Sequence, residues 1–348
     1  MKKILITGGA GFIGSNFIHY IFEKEKDIFI INLDKLTYAG NLENLKGIEQ
    51  NYSGKYKFIH GDIYNKELVE YIFAEYNSDA VINFAAESHV DRSILDSNIF
   101  IETNVLGSAT LLNVAKKFWK EEDWEKKRFL QISTDEVYGT LPENDKSIKF
   151  TEETPLKPHS PYSASKASAD CIVQSFYDTY EFPTLITRCS NNYGPYQFPE
   201  KLIPLIINNA LNDKKLPVYG DGKNIRDWLY VEDHCNAIWA VLQKGKIGEV
   251  YNIGGNNEIQ NIEIVKRILD YLGEPHSLIT YVKDRLGHDR RYAIDATKIK
   301  NELGWKPKFT FEEKIKDTID WYLKNPKWIN NVISGEYQRY YEKMYKNI

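Results

Sequence analysis

Tyr162 and Lys166 stand four residues apart in Tyr162-Ser163-Ala164-Ser165-Lys166, a spacing that puts a phenol and an ammonium on one face of a helix. An ammonium beside a phenol stabilises the phenolate, so the expectation is a lowered tyrosine pKa and a group able to take a proton from a substrate hydroxyl. Upstream, Gln131-Ile132-Ser133-Thr134-Asp135-Glu136-Val137-Tyr138-Gly139 ends an apolar run with a hydroxyl and two acids. Eliminating hydroxide at neutral pH calls for an acid, and removing a carbon-bound proton calls for a base. Two adjacent carboxyls in different environments supply one of each. Taken alone, the Tyr-Lys pair reads equally as a helix surface and Asp135-Glu136 as a solvated turn.

A third motif changes that balance. Thr7-Gly8-Gly9-Ala10-Gly11-Phe12-Ile13-Gly14 follows an apolar strand and opens an amphipathic segment through Phe17, Ile18, Ile21 and Phe22. Gly8, Gly11 and Gly14 fall where a tight turn, close approach of backbone to a pyrophosphate, and helix–strand packing each exclude a Cβ. The pyrophosphate of a dinucleotide would sit on the free N–H groups of the helix start. Asp34 follows Gly14 by 20 residues at the end of the next apolar run. There a carboxylate accepts hydrogen bonds from a ribose and repels a 2′-phosphate, which favours NAD over NADP. Asp62 and Ile63, after the third run, would flank the adenine as acceptor and apolar wall.

The elements that must position these groups follow from the alternation of short β-rich runs with helix-length segments. Lys3 to Thr7, Phe29 to Asp34, Tyr56 to Gly61, Ala80 to Phe84, Phe129 to Ser133 and Thr184 to Arg188 read as strands. The rhythm predicts an α/β fold, a Rossmann-type doubly wound parallel sheet whose ligands collect at the strand C-termini. After Arg188 the pattern shifts to Pro- and Asn-containing loops and helical stretches at Ile262 to Leu272 and Phe311 to Leu323. The expected division is a dinucleotide-binding domain over 1–190, with 231–250 packing back onto it, and a smaller α/β lobe over 191–348.

Composition narrows the function classes. The chain has 348 residues, 42% hydrophobic and 27% charged, with a formal net charge of −4, a globular profile without the broad basic footprint of a nucleic-acid binder. Cys171, Cys189 and Cys235 are odd in number and far apart, so they read as ordinary buried residues rather than disulfide partners. No His/Cys/Asp cluster has metal-ligand spacing. No apolar run is long enough to span a membrane and the start has no signal-peptide layout, so the expected address is cytoplasmic, with no membrane partner. The Tyr-rich end, Tyr337, Tyr340, Tyr341 and Tyr345, reads as packing.

The three motifs together resemble the extended short-chain dehydrogenase/reductase superfamily, and the acid pair after Thr134 narrows the resemblance to its nucleotide-sugar 4,6-dehydratases. The likeness extends through TGGAGFIGSN at 7–16, FAAESHVDRS at 84–93, STDEVYG at 133–139, PYSASKA at 161–167, RCSNNYGPYQFPEKLIP at 188–204, GDGKNIRDWLYVEDHC at 220–235 and GHDRRYAID at 287–295. It implies NAD as a retained cofactor, dTDP-glucose as substrate and an internal redox dehydration to a 4-keto-6-deoxy sugar. Tyr162 would take the C4 hydroxyl proton with Lys166 and Thr134 assisting, Glu136 the C5 proton, and Asp135 would protonate the departing C6 hydroxyl. By the same resemblance Phe12, Ile13, Lys35, Thr37, Ala85, Ala86, Thr103 and Asn192 join the cofactor site, as do Tyr162 and Lys166. Ser88, His89, Thr134 and Asn191 would border the sugar. Lys201, Leu202, Pro217, Tyr219, Arg226, Asn261, Arg285 and His288 would hold the nucleotide diphosphate, and the guanidinium forks of Arg226 and Arg285 suit phosphate in their own right. The resemblance also implies a homodimer.

One position departs from the pattern: Leu286 stands where the family usually carries proline, which removes a φ constraint beside Arg285 and His288. Another nucleotide-sugar 4,6-dehydratase, a UDP-sugar 4-epimerase and a non-catalytic NAD-binding regulator remain as alternatives. The acid pair speaks against the epimerase, which needs neither carboxyl, and against the regulator, which should lack it, Tyr162 or Lys166; the choice among dehydratases rests on the second-lobe loops.

Overall fold

Lys2–Thr7 (β1) reads Lys-Lys-Ile-Leu-Ile-Thr, and its last four residues are all buried. Side chains alternate between faces of a strand, so a continuous apolar run is stable only where both faces are covered. In the computed structural model, which describes residues 2–333, this is what happens. Ile4 and Ile6 join a core with Ile30, Ile82 and Leu130, roofed by the helices Phe12–Lys24 and Val231–Lys244. Leu5 points the other way, into a core with Ile31, Val81 and Phe129 under the helices Lys66–Tyr76, Ser108–Phe118 and Pro161–Tyr180. Burial of each such side chain contributes about 1.5–3 kcal/mol.

The strands Ile28–Asp34 (β2), Tyr56–His60 (β3), Ala80–Asn83 (β4), Arg128–Thr134 (β5) and Thr184–Cys189 (β6) match the expected runs within one or two residues at each end. The sheet order is β10-β6-β5-β4-β1-β2-β3, parallel throughout, where Val250–Ile253 (β10) is a seventh strand absent from the sequence-based expectation. Asn191–Tyr193 (β7), Ile225–Tyr230 (β9) and Glu258–Gln260 (β11) form a second small sheet, and Leu216–Tyr219 (β8) pairs with Ile279–Val282 (β12). Around them the helices Leu202–Ala210, Asn261–Leu272 and Phe311–Lys324 close a separate apolar cluster.

Two cysteines, Cys189 and Cys235, are buried as expected, whereas Cys171 is exposed. It sits on the outer side of the helix Pro161–Tyr180, whose opposite face carries the buried Tyr162, Lys166 and Ala169. Among the described residues no helix is long and apolar enough to cross a membrane, and no group of three or more His, Cys, Asp or Glu is placed to hold a metal ion. The four C-terminal tyrosines expected to pack lie outside the described residues.

Candidate active site

β1 runs between β2 and β4, and the chain leaves these two neighbours in opposite directions along the sheet, which opens a crevice at their carboxyl ends. The glycine turn lies in it. Gly8 has φ +69, and a Cβ there would stand 2.6 Å from the Ala85 nitrogen, while a Cβ on Gly14 would collide with the Gly8 carbonyl oxygen. At Gly11 the protein itself leaves room, its nearest atom being the Gly8 oxygen at 3.3 Å, so the bare backbone faces the cavity. The helix Phe12–Lys24 begins there without a side-chain cap or an acid in its first turn, leaving N–H groups free for an anion.

At the far end of this cavity, Asp34 is buried and accepts backbone N–H groups from Ala10 and Leu36, both at 2.8 Å. Burial pushes its carboxyl up, and the two amides work against that shift. Lys35 pairs with Asp62 at 2.7 Å. The cavity measures about 280 Å³ and is lined by every residue the sequence reading assigned to a dinucleotide, from Gly8, Thr37 and Ile63 through Ala86 and Thr103 to Lys166 and Asn192. Thr103 lies on Ile101–Gly107, a segment wound wider than an α-helix, a distortion that recurs at functional sites.

β5 delivers Thr134, Asp135 and Glu136 to the same cavity, and the next helix brings Tyr162 and Lys166 to face them. That helix is set by Ser160, which caps it reciprocally with Ser163, and by Pro161 in the first turn. The Tyr162 phenol lies beside Thr134, and burial together with Glu136 holds its pKa well above the ordinary value. This corrects the expectation of a lowered pKa. Lys166 donates to the Ile132 carbonyl at 2.7 Å, and burial lowers its pKa against the pull of Asp170.

The two acids differ. Asp135 is 1% exposed, with one carboxylate oxygen lacking a hydrogen-bond partner. Burial, reinforced by Glu136 and Asp227, pushes its carboxyl well above the usual range. Glu136 is also raised by burial, but Lys201, Arg226 and Arg285 pull it back. The two neighbouring carboxyls thus sit in unequal fields, Asp135 raised further by its acid neighbours and Glu136 drawn back by three cations, an asymmetry of the kind that acid–base pairs use.

A second cavity of about 160 Å³ adjoins the first, and Glu136, Asn191, Asn192, Gln197, Glu200 and Lys201 line both. It collects His89, Leu202, Pro217, Tyr219, Arg226, Asn261, Arg285 and His288 from separate segments; Ser88 lies on the first cavity instead. Arg285 forks onto Asp91, with Nη2 at 2.9 Å, and Tyr219 donates to the same carboxylate at 3.2 Å. Arg226 donates to the carbonyls of Ile225 and Asp289 at 2.8 Å and stacks on Tyr292 at 4.1 Å. Lys201 donates to the Ser88 carbonyl at 2.9 Å. Burial works against the charged form of both histidines: His89 falls well below its ordinary value, and His288, bonded to Asp284, falls to about 4. The Oδ1 atoms of Asn191 and Asn261 are buried without partners, as groups awaiting a polar ligand would be.

Leu286 is 68% exposed, and the turn beside it is made by Gly287 at φ +62. The missing proline thus leaves Arg285 and His288 on the cavity wall. Sequence reading overlooked Asp91, Gln197, Glu200, Asp289 and Tyr292, which line the second cavity. All five lie inside motifs already recognised; for Glu200 and Asp289 the available signal was an acid beside a named basic residue or histidine, as in Glu200-Lys201 and His288-Asp289.

The family model described as GDP-mannose 4,6 dehydratase matches residues 5–318. The dTDP-glucose 4,6-dehydratase of Salmonella typhimurium is 55% identical over 99% of both chains. Among solved structures, dTDP-glucose 4,6-dehydratase from Bacillus anthracis in complex with NAD is 52% identical, with a TM-score of 0.87 over 95% of this chain and 100% of that one. The enzyme of the same description from Streptomyces venezuelae, also with NAD bound, is 43% identical with a TM-score of 0.88 over 95% and 99%. With residues 5–318 matched by the family model and nearly its whole length matched by relatives of the same fold, the chain belongs to the GDP-mannose 4,6 dehydratase family.

Proposed function

We propose that this protein converts dTDP-glucose to dTDP-4-dehydro-6-deoxy-glucose, with NAD in the first cavity and the nucleotide sugar in the second. The observation that carries the reading is the electrostatic split between Asp135 and Glu136 beside Tyr162 at the wall the two cavities share. The near full-length identity to dTDP-glucose 4,6-dehydratases supports the choice of substrate. The glycine cradle and the uncapped helix start suit a pyrophosphate, and Asp34 suits a ribose diol.

NAD⁺ bound there supplies a hydride acceptor for C4 and, once reduced, a hydride donor for C6. Tyr162 takes the C4 hydroxyl proton, with Thr134 orienting that hydroxyl and Lys166 supporting the phenolate charge. The 4-ketone acidifies the neighbouring C5–H bond, and Glu136 takes that proton. Asp135 protonates the departing C6 hydroxyl, which leaves as water, and C5 is reprotonated in the final step. Arg226, Arg285 and Lys201 balance the diphosphate charge, and Asn191 and Asn261 turn their unpartnered carbonyls to the ligand.

The apolar side chains Ile94, Leu95, Ile99, Ile101 and Leu106 are exposed along one stretch, which supports a homodimer through that face. The separate apolar clusters on the two sides support a division near residue 190, with 231–250 packing back onto the dinucleotide domain. A cytoplasmic address follows from the charged, membrane-impermeant substrate and cofactor.

The test is mass spectrometry of dTDP-glucose after incubation with purified protein, with and without added NAD⁺. Loss of one water is the expected result. Isomerisation without mass change would make it an epimerase with idle carboxyls, and no reaction would exclude this substrate.

A further inference from the structure

Between β2 and the turn Leu42–Leu45 runs the segment 35–41, of which Lys35, Thr37, Ala39 and Gly40 line the first cavity. Two hydrogen bonds fold it, from the Gly40 amide to Thr37 and from the Asn41 amide to Ala10 in the glycine turn, both 3.0 Å. Leu36 holds a left-handed φ of +53, an uncommon conformation for a branched side chain that surrounding contacts must maintain. Leu36 packs on the first apolar cluster and its amide donates to Asp34 at 2.8 Å, and the next anchor along the segment is Tyr38. Its ring leaves the cavity side and packs on the second apolar cluster, with Phe198 edge-on at 5.8 Å. Across its other face lies the Arg92 guanidinium, 3.6 Å from the ring centroid. Arg92 in turn donates through Nε to Glu200 at 3.1 Å, and the Tyr38 hydroxyl is buried beside Glu200 and Ser88.

Glu200 lines both cavities. One stack therefore runs from the segment over the dinucleotide cavity, through Tyr38 and Arg92, to the wall shared with the second cavity. Resting on the function proposed above, we infer that Tyr38 is a positioning residue, a latch whose ring, seated on Arg92, holds segment 35–41 over the cofactor until the reaction cycle closes. The proposed reaction has need of such a device, because the cofactor reduced in its first half is consumed in its second and has no second source of hydride.

The test compares two variants of the full-length protein, Tyr38→Leu and Tyr38→Phe. Leucine keeps apolar bulk against the second cluster and removes the π face, whereas phenylalanine keeps the π face and removes only the hydroxyl. The readouts are exchange of bound NAD for isotope-labelled NAD, the nucleotide-to-protein ratio after gel filtration, and free NADH released during turnover of dTDP-glucose. Loss of a desolvated cation–π contact predicts exchange about tenfold faster in Tyr38→Leu, with NADH leaking into solution. Tyr38→Phe should exchange at the parental rate within about twofold, since its cation–π seat is intact. Parental exchange in the leucine variant, or equally fast exchange in both variants, would overturn the latch. A parent protein that leaves dTDP-glucose unchanged while the leucine–phenylalanine split persists would overturn the proposed substrate and keep the latch.

Discussion

The two adjoining cavities are walled by different materials. The glycine end of the first is backbone and small side chains: Gly8, Gly11, Gly14, Ala85 and Ala86, at the ends of the neighbouring strands β1 and β4. The second is walled by long charged groups, Lys201, Arg226 and Arg285, each held by a partner from another segment, namely the carbonyls of Ser88 and Asp289 and the carboxylate of Asp91. A backbone cradle is rigid and intolerant of any added atom, whereas a side-chain cradle is adjustable and depends on a paired partner. Perturbing the first should therefore damage folding and cofactor retention together, and perturbing the second should damage affinity.

The shared wall gives the largest effect. Replacing Glu136 with Gln keeps its shape and removes the base, so turnover should fall about 10²–10⁴-fold while C4 oxidation survives. In a single-turnover experiment reduced cofactor should accumulate; undiminished turnover would take Glu136 out of the base role. In the first cavity, Gly14→Ala drives a methyl group into the Gly8 carbonyl and should cost about 2–3 kcal/mol of stability. Thermal unfolding with and without NAD should show a lowered midpoint and a reduced shift on adding cofactor.

In the second cavity, Arg285→Ala should raise KM for the nucleotide sugar about 10–100-fold, the worth of a charge-assisted phosphate contact, with a smaller change in kcat. A kcat loss at constant KM would instead put Arg285 in the chemistry. The smallest effect on stability comes at Asp135. Its folded-state pKa lies above that of an unfolded carboxyl, about 3.9, so the stability linked to its proton is full below that value and is lost as pH rises through the folded pKa. Asp135→Asn should be inactive yet about 1 kcal/mol more stable at pH 7, with the gain shrinking towards pH 4 in denaturant titrations.

The same contrast explains what was legible in the sequence. Gly8 to Gly14, Asp34, Thr134 to Glu136 and the Tyr162–Lys166 pair announce themselves because each local run is both the element and the site. Asp91, Glu200, Asp289 and Tyr292 went unread because what makes them wall residues is pairing across long stretches of chain, as Asp91 meets Arg285. β10 was missed for a related reason: Val-Tyr-Asn-Ile is four residues long and its partner β6 lies far upstream. The direction of the Tyr162 shift was beyond sequence as well, since i, i+4 spacing gives proximity to Lys166 but not the burial and the Glu136 charge that outweigh it.

The common wall of the two cavities has a pharmacological corollary. A bisubstrate inhibitor spanning both chambers would press on Glu136, Asn191 and Lys201, side chains that line both. Resistance by substitution there would forfeit turnover along with inhibitor binding. At the periphery an inhibitor leaning on Leu286 would meet an exposed side chain whose replacement leaves no buried cavity. Potency would best be sought at the junction, and selectivity at the rim.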